Sequence, residues 1–341
     1  MTTTAESRPT TRAVQGRIAT SRGLWTMVAA LVLLALAGLV FAPTSMSKGA
    51  LQGMLPFAAV LAIVALGQTL VIQQGGFDLS VPGSVSIVVV ICTHHPEGDN
   101  AKLLPAVLMA LGVAVLAGLV NGTLIRLLRL NPIVATLGTN ALLYAGVLAI
   151  SAGSPRRTTS RLASIAGGET LGVPHAVFFA LVAVAVTTVA VKSTVVGRRF
   201  EAVGANPRAG RATGLKVNRH GIAAYVWAQV LYWLGAVLLA GIIVQPTAFQ
   251  GDAYLLPSVA AVVLGGTSLL GGKGNIVATA LAALFLTQLQ QFVLALGVNS
   301  AVQILVQAAA LAFGVGMYSV DWAAVRQRLR PSREPAPAAT G

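Results

Sequence analysis

Charged side chains are scarce in this chain. Of its 341 residues only 9% are Asp, Glu, Lys or Arg, while 56% are hydrophobic. A soluble domain carries about 25% charged residues, so a water-soluble surface cannot be assembled at this length. Disorder is excluded as well, because it needs low hydrophobicity, and so is a coiled coil. Cysteine is nearly absent. Cys92 stands alone, forms no intrachain disulfide and rules out a secreted disulfide scaffold; among apolar neighbours it reads as a small buried hydrophobe. What the chain has in quantity is apolar residues and 36 glycines, the composition of a multi-spanning helical membrane protein in which glycine lets helices approach closely.

Ten apolar segments follow one another: 24–42, 51–73, 79–93, 103–125, 131–152, 172–191, 222–244, 255–270, 275–296 and 301–320. None contains Asp, Glu, Lys or Arg, so all 23 basic and nine acidic side chains lie outside them. Lipid solvation demands this segregation, since a charge at the bilayer centre is costly. Most segments match the roughly 20 residues needed to cross. The stretch 24–42 is too long for a signal-peptide core and is read as a retained first span after a tail over 1–23. A second tail, 321–341, ends in a Pro/Ala-rich stretch expected to be disordered.

The net charge of +14 would point to nucleic acid in a soluble protein. Alternating spans from an inside N-terminus distribute the charge differently: 18 Lys and Arg fall inside and 5 outside. That is the positive-inside pattern; it places both termini in the cytoplasm and makes the cations topology determinants rather than a nucleic-acid stripe.

Segments 79–93 and 255–270 are short and bordered by glycines, Gly75-Gly76 and Gly83 for one, Gly265-Gly266 and Gly271-Gly272 for the other. They are third and eighth of ten, hence each third in a half of five, and halves with an odd number of spans are inverted. Short, glycine-interrupted segments at matching positions point to a translocation site. No nucleotide site is present: Gly271-Gly272-Lys273-Gly274 lacks the first glycine and the Ser/Thr of a phosphate loop. His94-His95 with Glu97 and Asp99 reads as a solvated turn rather than a metal site.

The stretch 192–221 is far longer than a connection requires. Within it Asn206 is placed to cap a helix starting at Pro207 and Gly214 to end it, predicting a helix over 207–213, a rigid peg for a cytoplasmic partner. Polar residues recur at helical spacing inside the spans: Thr136, Asn140 and Tyr144; Thr287 and Gln291; Gln303 and Gln307; Tyr225, Gln229 and Tyr232. Neutral amides and hydroxyls suit a hydrogen-bonding, uncharged cargo, and they equally serve helix–helix hydrogen bonds. Asp78 is placed to cap the short third segment. The candidate pathway residues are Gln68, Asp78, Ser80, Asn121, Thr136, Asn140, Gln245 and Thr267.

Four stretches resemble the permease subunits of bacterial ABC importers for monosaccharides, the ribose, xylose and autoinducer-2 type: Gly67-Gln68-Thr69 followed by GGFDLSVPGS (75–84), NPIVATLGT (131–139), EAVGANPRAGRATGLKV (201–217) and AAVVLGGTSLLGGKG (260–274). With matching span order the resemblance covers about 50 to 320. It implies that the cytoplasmic helix docks into an ATPase subunit, a role carried by motif position to Glu201, Gly204, Asn206, Pro207, Ala209 and Gly214. It further implies a second permease, identical or paralogous, ATPase modules that are often fused in one polypeptide, and an extracytoplasmic sugar-binding protein. ATP and magnesium then belong to the partner, and this chain carries no cofactor, metal or catalytic residue. Two departures stand out: acids usual before the last motif are replaced by Leu255 and Pro257, and Pro82 interrupts the first.

The expected fold is all-α, a polytopic inner-membrane protein of about ten helices with both termini cytoplasmic and two helices short or broken. The permease domain spans 24–320, with 192–221 as its coupling loop. The expected function is translocation of a small neutral sugar or polyol, driven by a separate ATPase. Alternatives are a nucleoside or amino-acid ABC permease and an ion-coupled secondary transporter, for which Asp78 would be the titrating group.

Overall fold

The computed structural model describes residues 22–299 and, beyond them, 301, 302, 304–306, 308, 309 and 312. Both expected tails, most of the tenth expected span and the pair Gln303 and Gln307 lie outside the described residues, so the sidedness of the termini does too.

The helices in chain order are α1 (Arg22–Phe41), α2 (Lys48–Gln73), α3 (Val81–His94), α4 (Leu103–Arg126), α5 (Pro132–Ser151), α6 (Ser160–Gly167), α7 (His175–Thr188), α8 (Val195–Ala205), α9 (Pro207–Ala212), α10 (Val217–Ile242), α11 (Leu255–Leu264) and α12 (Ile276–Ala295). Seven helical stretches among the described residues are long and apolar enough to cross a membrane, and Val81–His94 and Gln250–Leu264 are shorter apolar helices. These nine correspond to the first nine expected segments. Among the described residues the regular elements are helices apart from one short hairpin, Glu169–Thr170 against Val173–Pro174, which shortens the expected segment 172–191 at its start. Helix α10 begins at Val217 rather than 222, carrying Arg219 one turn beyond the apolar stretch. Helix α11 stops at Leu264, well before 270, because Gly265 and Gly266 break it.

Side-chain caps fix several of the starts. Asn131 accepts the N–H of Ile133 ahead of Pro132, and Asn206 accepts those of Arg208 and Ala209 ahead of Pro207; the Asn-Pro pair solves both helix starts alike, with the missing proline N–H an orphan in any case. Asn275, Thr159 and Thr194 cap α12, α6 and α8.

Helix α2 is the axis of the bundle: 89% of its apolar window is buried, against 22% for α5. Large apolar side chains of the outer helices, Leu33, Leu116, Leu142 and Leu181 among them, point outward into what is lipid in a membrane. Lipid tails are as apolar as leucine, so association rests on close packing. Helix α10 packs on α4 and α3 as α2 packs on α12 and α11, the correspondence that two inverted halves require. The α4–α10 contact is a glycine pair one turn apart: a Cβ on Gly118 would stand 2.6 Å from the Val226 Cα, and one on Gly122 2.8 Å from the Ile222 Cα. The motifs Gly67-Gln68-Thr69 and Gly265-Gly266-Thr267 are not equivalent, since the first lies inside α2 and the second follows α11.

Candidate functional site

Helix α3 has 14 residues, about 21 Å of rise against a hydrocarbon core of about 30 Å. The missing depth is covered by the non-helical stretch Gln74–Ser80, where the chain turns back from the end of α2. Backbone groups freed from a helix at membrane depth need partners, and four neighbouring helices supply them.

Gln68 of α2 donates through Nε2 to the Asp78 carbonyl at 3.1 Å, and its Oε1 accepts from the Tyr232 hydroxyl at 3.1 Å. Thr136 accepts the N–H of Leu79 at 3.0 Å, and Asn140, one turn further along α5, accepts that of Gly83 at 2.7 Å. The Asp78 carboxylate accepts the Ser80 hydroxyl at 2.5 Å and the Ser80 N–H at 2.9 Å through one oxygen, and Gln229 Nε2 at 3.3 Å through the other. The Ser80 hydroxyl in turn accepts from Asn121 at 3.0 Å and Gln229 at 2.9 Å, which exhausts its one donor and two acceptor sites. Asn121 Oδ1 accepts from Thr139 at 2.5 Å. Asp78, Ser80, Gln68, Asn121, Thr136 and Gln229 are fully buried, so the network is withdrawn from solvent, with Gln229 Oε1 its one acceptor left without a partner. A carboxylate withdrawn from water is tolerated here because donors surround it.

Six of the eight candidate pathway residues, Gln68, Asp78, Ser80, Asn121, Thr136 and Asn140, therefore meet around one break. Gln245 is exposed in the turn after α10, at the other end of the bundle, and Thr267 is buried in the loop after α11, its hydroxyl 3.4 Å from the Asn275 N–H. Asp78 holds the N–H of Ser80, the residue before α3, rather than amides within its first turn. Gln229 was singled out by helical spacing alone, and Thr139 was not; nothing in the spacing says which helix a polar stripe faces. The third member of the α5 stripe, Tyr144, donates to Asp252 and meets the Phe249 ring edge-on at 5.1 Å.

At the basic end, α8 and α9 form a helix–turn–helix. Helix α9, Pro207–Ala212, matches the expected peg to within a residue, and Gly214 closes it with φ +79°, followed by the Leu215 N–H on the Gly210 carbonyl at 2.9 Å. Helix α8 was not expected. Glu201 lies on α8, paired with Lys192. Asn206, Ala209 and Gly214 are exposed and Pro207 half-buried, whereas Gly204 is buried with its Cα against the Gln73 carbonyl oxygen. The Gly271-Gly272 turn reaches the same point: the Gly272 N–H donates to Gln73 O at 2.8 Å, and a Cβ on Gly272 would stand 2.7 Å from the Ala205 Cα. Arg126 donates to the Gln74 carbonyl at 2.7 Å and Gln74 to the Phe200 carbonyl at 2.8 Å. Beside this junction Leu270 is 94% exposed at a loop tip.

At the opposite end Glu97 pairs with Arg156 and Lys102 at 3.5 and 4.0 Å, and Asp99 caps the turn at Ala101. Among the described residues no group of three His, Cys, Asp or Glu side chains is arranged to hold a metal.

A bundle of apolar spans with two short helices and a capped helix–turn–helix on its basic end is the architecture of a polytopic membrane protein. The chain belongs to the permease family of ABC import systems: residues 50–314 match the family described as branched-chain amino acid transport system / permease component. It is 34% identical over 318 residues to the ribose import permease protein RbsC of Escherichia coli (strain K12), covering 90% of this chain and 98% of that protein. It is 34% identical over 293 residues to the probable ABC transporter permease protein y4mJ of Sinorhizobium fredii (strain NBRC 101917 / NGR234), 85% and 87% covered. The galactose/methyl galactoside import permease protein MglC of Escherichia coli (strain K12) is 30% identical over 317 residues, 87% and 94% covered. No solved structure matches. The chain is thus a multi-pass inner-membrane transport subunit, and ATP hydrolysis belongs to a partner ATPase.

Proposed function

We propose that this chain moves a small neutral sugar or polyol inward. The reading is carried by its 34% identity, over 90% of its length, to a ribose import permease. Its spans hold amides and hydroxyls rather than charges, which suits a polyhydroxy cargo better than a zwitterion. Two permease chains, identical or paralogous, would enclose the path. An extracytoplasmic binding protein, soluble or lipid-anchored, would select the sugar, and one or two fused ATPase modules would bind ATP and magnesium.

The basic end is taken as cytoplasmic on the positive-inside distribution. There Glu201, Asn206, Pro207, Ala209 and Gly214 would meet the ATPase together with the exposed Leu270, while the buried Gly204 would pass the motion to α2. The Asp78 network would act as the frame of the pathway, holding Gln68, Ser80, Asn121, Thr136 and Asn140 in place around the broken helix. Gln245 and Thr267 would lie at its two ends.

The test is uptake of radiolabelled sugars into proteoliposomes holding the chain with the ATPase that co-purifies from native membranes, with the binding protein added. ATP-dependent uptake that is lost in both Glu201→Arg and Gly214→Trp supports the reading. Uptake by the chain alone, without ATP, would sink it.

A further inference from the structure

The basic end carries a second feature beside the coupling helix. Between the α4–α5 turn and the start of α10 lies a cavity of about 600 Å³, lined by Arg126, Arg129, Arg211, Lys216 and Arg219 with Asn218 among them. Among the described residues none of these five cations is ion-paired to an acid. Arg126 uses one guanidinium nitrogen on the Gln74 carbonyl, yet its Nε is buried with no partner. Arg211 lies near enough to Arg126 to oppose its charge. Five like charges around one concave space repel one another, and a polyoxygen anion would relieve that repulsion while presenting acceptors to guanidinium forks.

The surroundings indicate which anion. Arg129 sits between apolar residues that face outward at the end of a spanning helix: Leu127 is 53% exposed, Leu128 63% and Leu130 44%. Cations beside exposed leucines at a membrane boundary match an amphiphile with a phosphate head and hydrocarbon tails. A free anion would gain nothing from the leucines.

We propose that an anionic phospholipid headgroup binds in this cavity, its phosphate among Arg126, Arg129 and Arg219 and its acyl chains along Leu127, Leu128 and Leu130. The site stands on these residues alone and is independent of which cargo the chain carries. Because Arg211 belongs to α9 and Lys216 to the turn before α10, a bound headgroup would bridge the peg to the spanning helices.

The test uses the full chain in mixed phosphatidylglycerol and phosphatidylcholine nanodiscs, released and weighed with its retained lipids by native mass spectrometry. Wild type is expected to keep phosphatidylglycerol in preference. The double variant Arg129→Ala/Arg219→Ala should retain about thirtyfold less of it, from two cations lost at a membrane surface, with phosphatidylcholine unchanged. Arg129→Lys/Arg219→Lys, with a matching thermal melt, should restore most of the preference and separates loss of charge from misfolding. Equal retention by wild type and the alanine variant would overturn the proposal. So would displacement of the lipid by millimolar inorganic phosphate, which marks a free-phosphate site. Loss of the co-purifying ATPase with lipid retention intact would make the cavity a protein contact and overturn it too.

Discussion

The Gln73 carbonyl oxygen accepts the Gly272 N–H at 2.8 Å, tying the end of α2 to the turn before α12, and Gly204 of α8 rests on the same oxygen. Three segments remote in sequence meet at this one oxygen, Gly272 through a hydrogen bond and Gly204 through a close packing contact that leaves no room for a side chain. Gly204→Val should therefore prevent α8 from docking and cut the yield of folded protein severely, as overpacking against rigid backbone does. Gly112→Ala and Gly138→Ala, where a Cβ meets nothing within 4 Å, should be neutral or slightly stabilising. Size-exclusion profiles and melting curves in detergent distinguish the two groups.

The glycine pair of α4 gives a second packing test. Gly118→Val and Gly122→Val each force α10 away and should cost about 1–3 kcal/mol, seen as a lowered melting temperature. If either variant melts like the wild type, the close α4–α10 approach is not what holds these helices together.

Asp78 separates a structural carboxylate from a proton-coupling one. Asp78→Leu orphans the Ser80 hydroxyl and N–H and one Gln229 donor, each worth about 1–3 kcal/mol when buried unsatisfied, and should not accumulate in the membrane. Asp78→Asn keeps the shape and one acceptor, and should melt lower but retain ATP-driven uptake. Uptake by the Asn variant that has lost ATP dependence, or wild-type uptake that collapses with the proton gradient, would favour ion coupling.

Asn206 holds two amides of a six-residue helix. Asn206→Ala should cost about 1 kcal/mol, confined to α9. Hydrogen exchange at Arg208 and Ala209 should speed several-fold while exchange in α2 and α10 stays as it was, and ATP-driven uptake should fall.

Glu201 and Lys192 form a partly exposed ion pair, of a kind worth about 0–1 kcal/mol. Lys192→Met and Glu201→Gln should both leave the melting temperature nearly unchanged. If Glu201 meets the ATPase, only its variant should reduce uptake; equal effects of both would assign Glu201 to the local pair alone.

The spans were legible because lipid admits no charge, so nine apolar segments map onto nine helices with shifts of a few residues at most ends. The short α3 and α11 were legible from their bordering glycines, and α9 from the Asn-Pro start and glycine stop, since these are local chemistry. What lay beyond the sequence is who meets whom. Thr136 and Asn140 announce a polar face on α5, but that this face holds the backbone of Leu79 and Gly83, rather than lining open space, depends on tertiary placement. Gly204 is marked by motif position alone, and nothing in the sequence places it against the Gln73 carbonyl. That Gln245 stands in an exposed turn rather than beside the Asp78 network follows from where the chain leaves α10, at Ile242. Helix α8 is not legible in the sequence because six of its eleven residues are Val, Gly or Phe, weak helix formers whose helix is fixed by the Thr194 cap and packing.

The three-way contact at the Gln73 carbonyl has a mechanical meaning. Side-chain contacts yield by changing rotamer, but a joint made of main-chain atoms from α2, α8 and the turn before α12 has no torsion of that kind to soften it. If the helix–turn–helix carries the coupling motion proposed for it, its displacement reaches α2 and the turn before α12 together, through a contact whose closeness is set by what glycine leaves out.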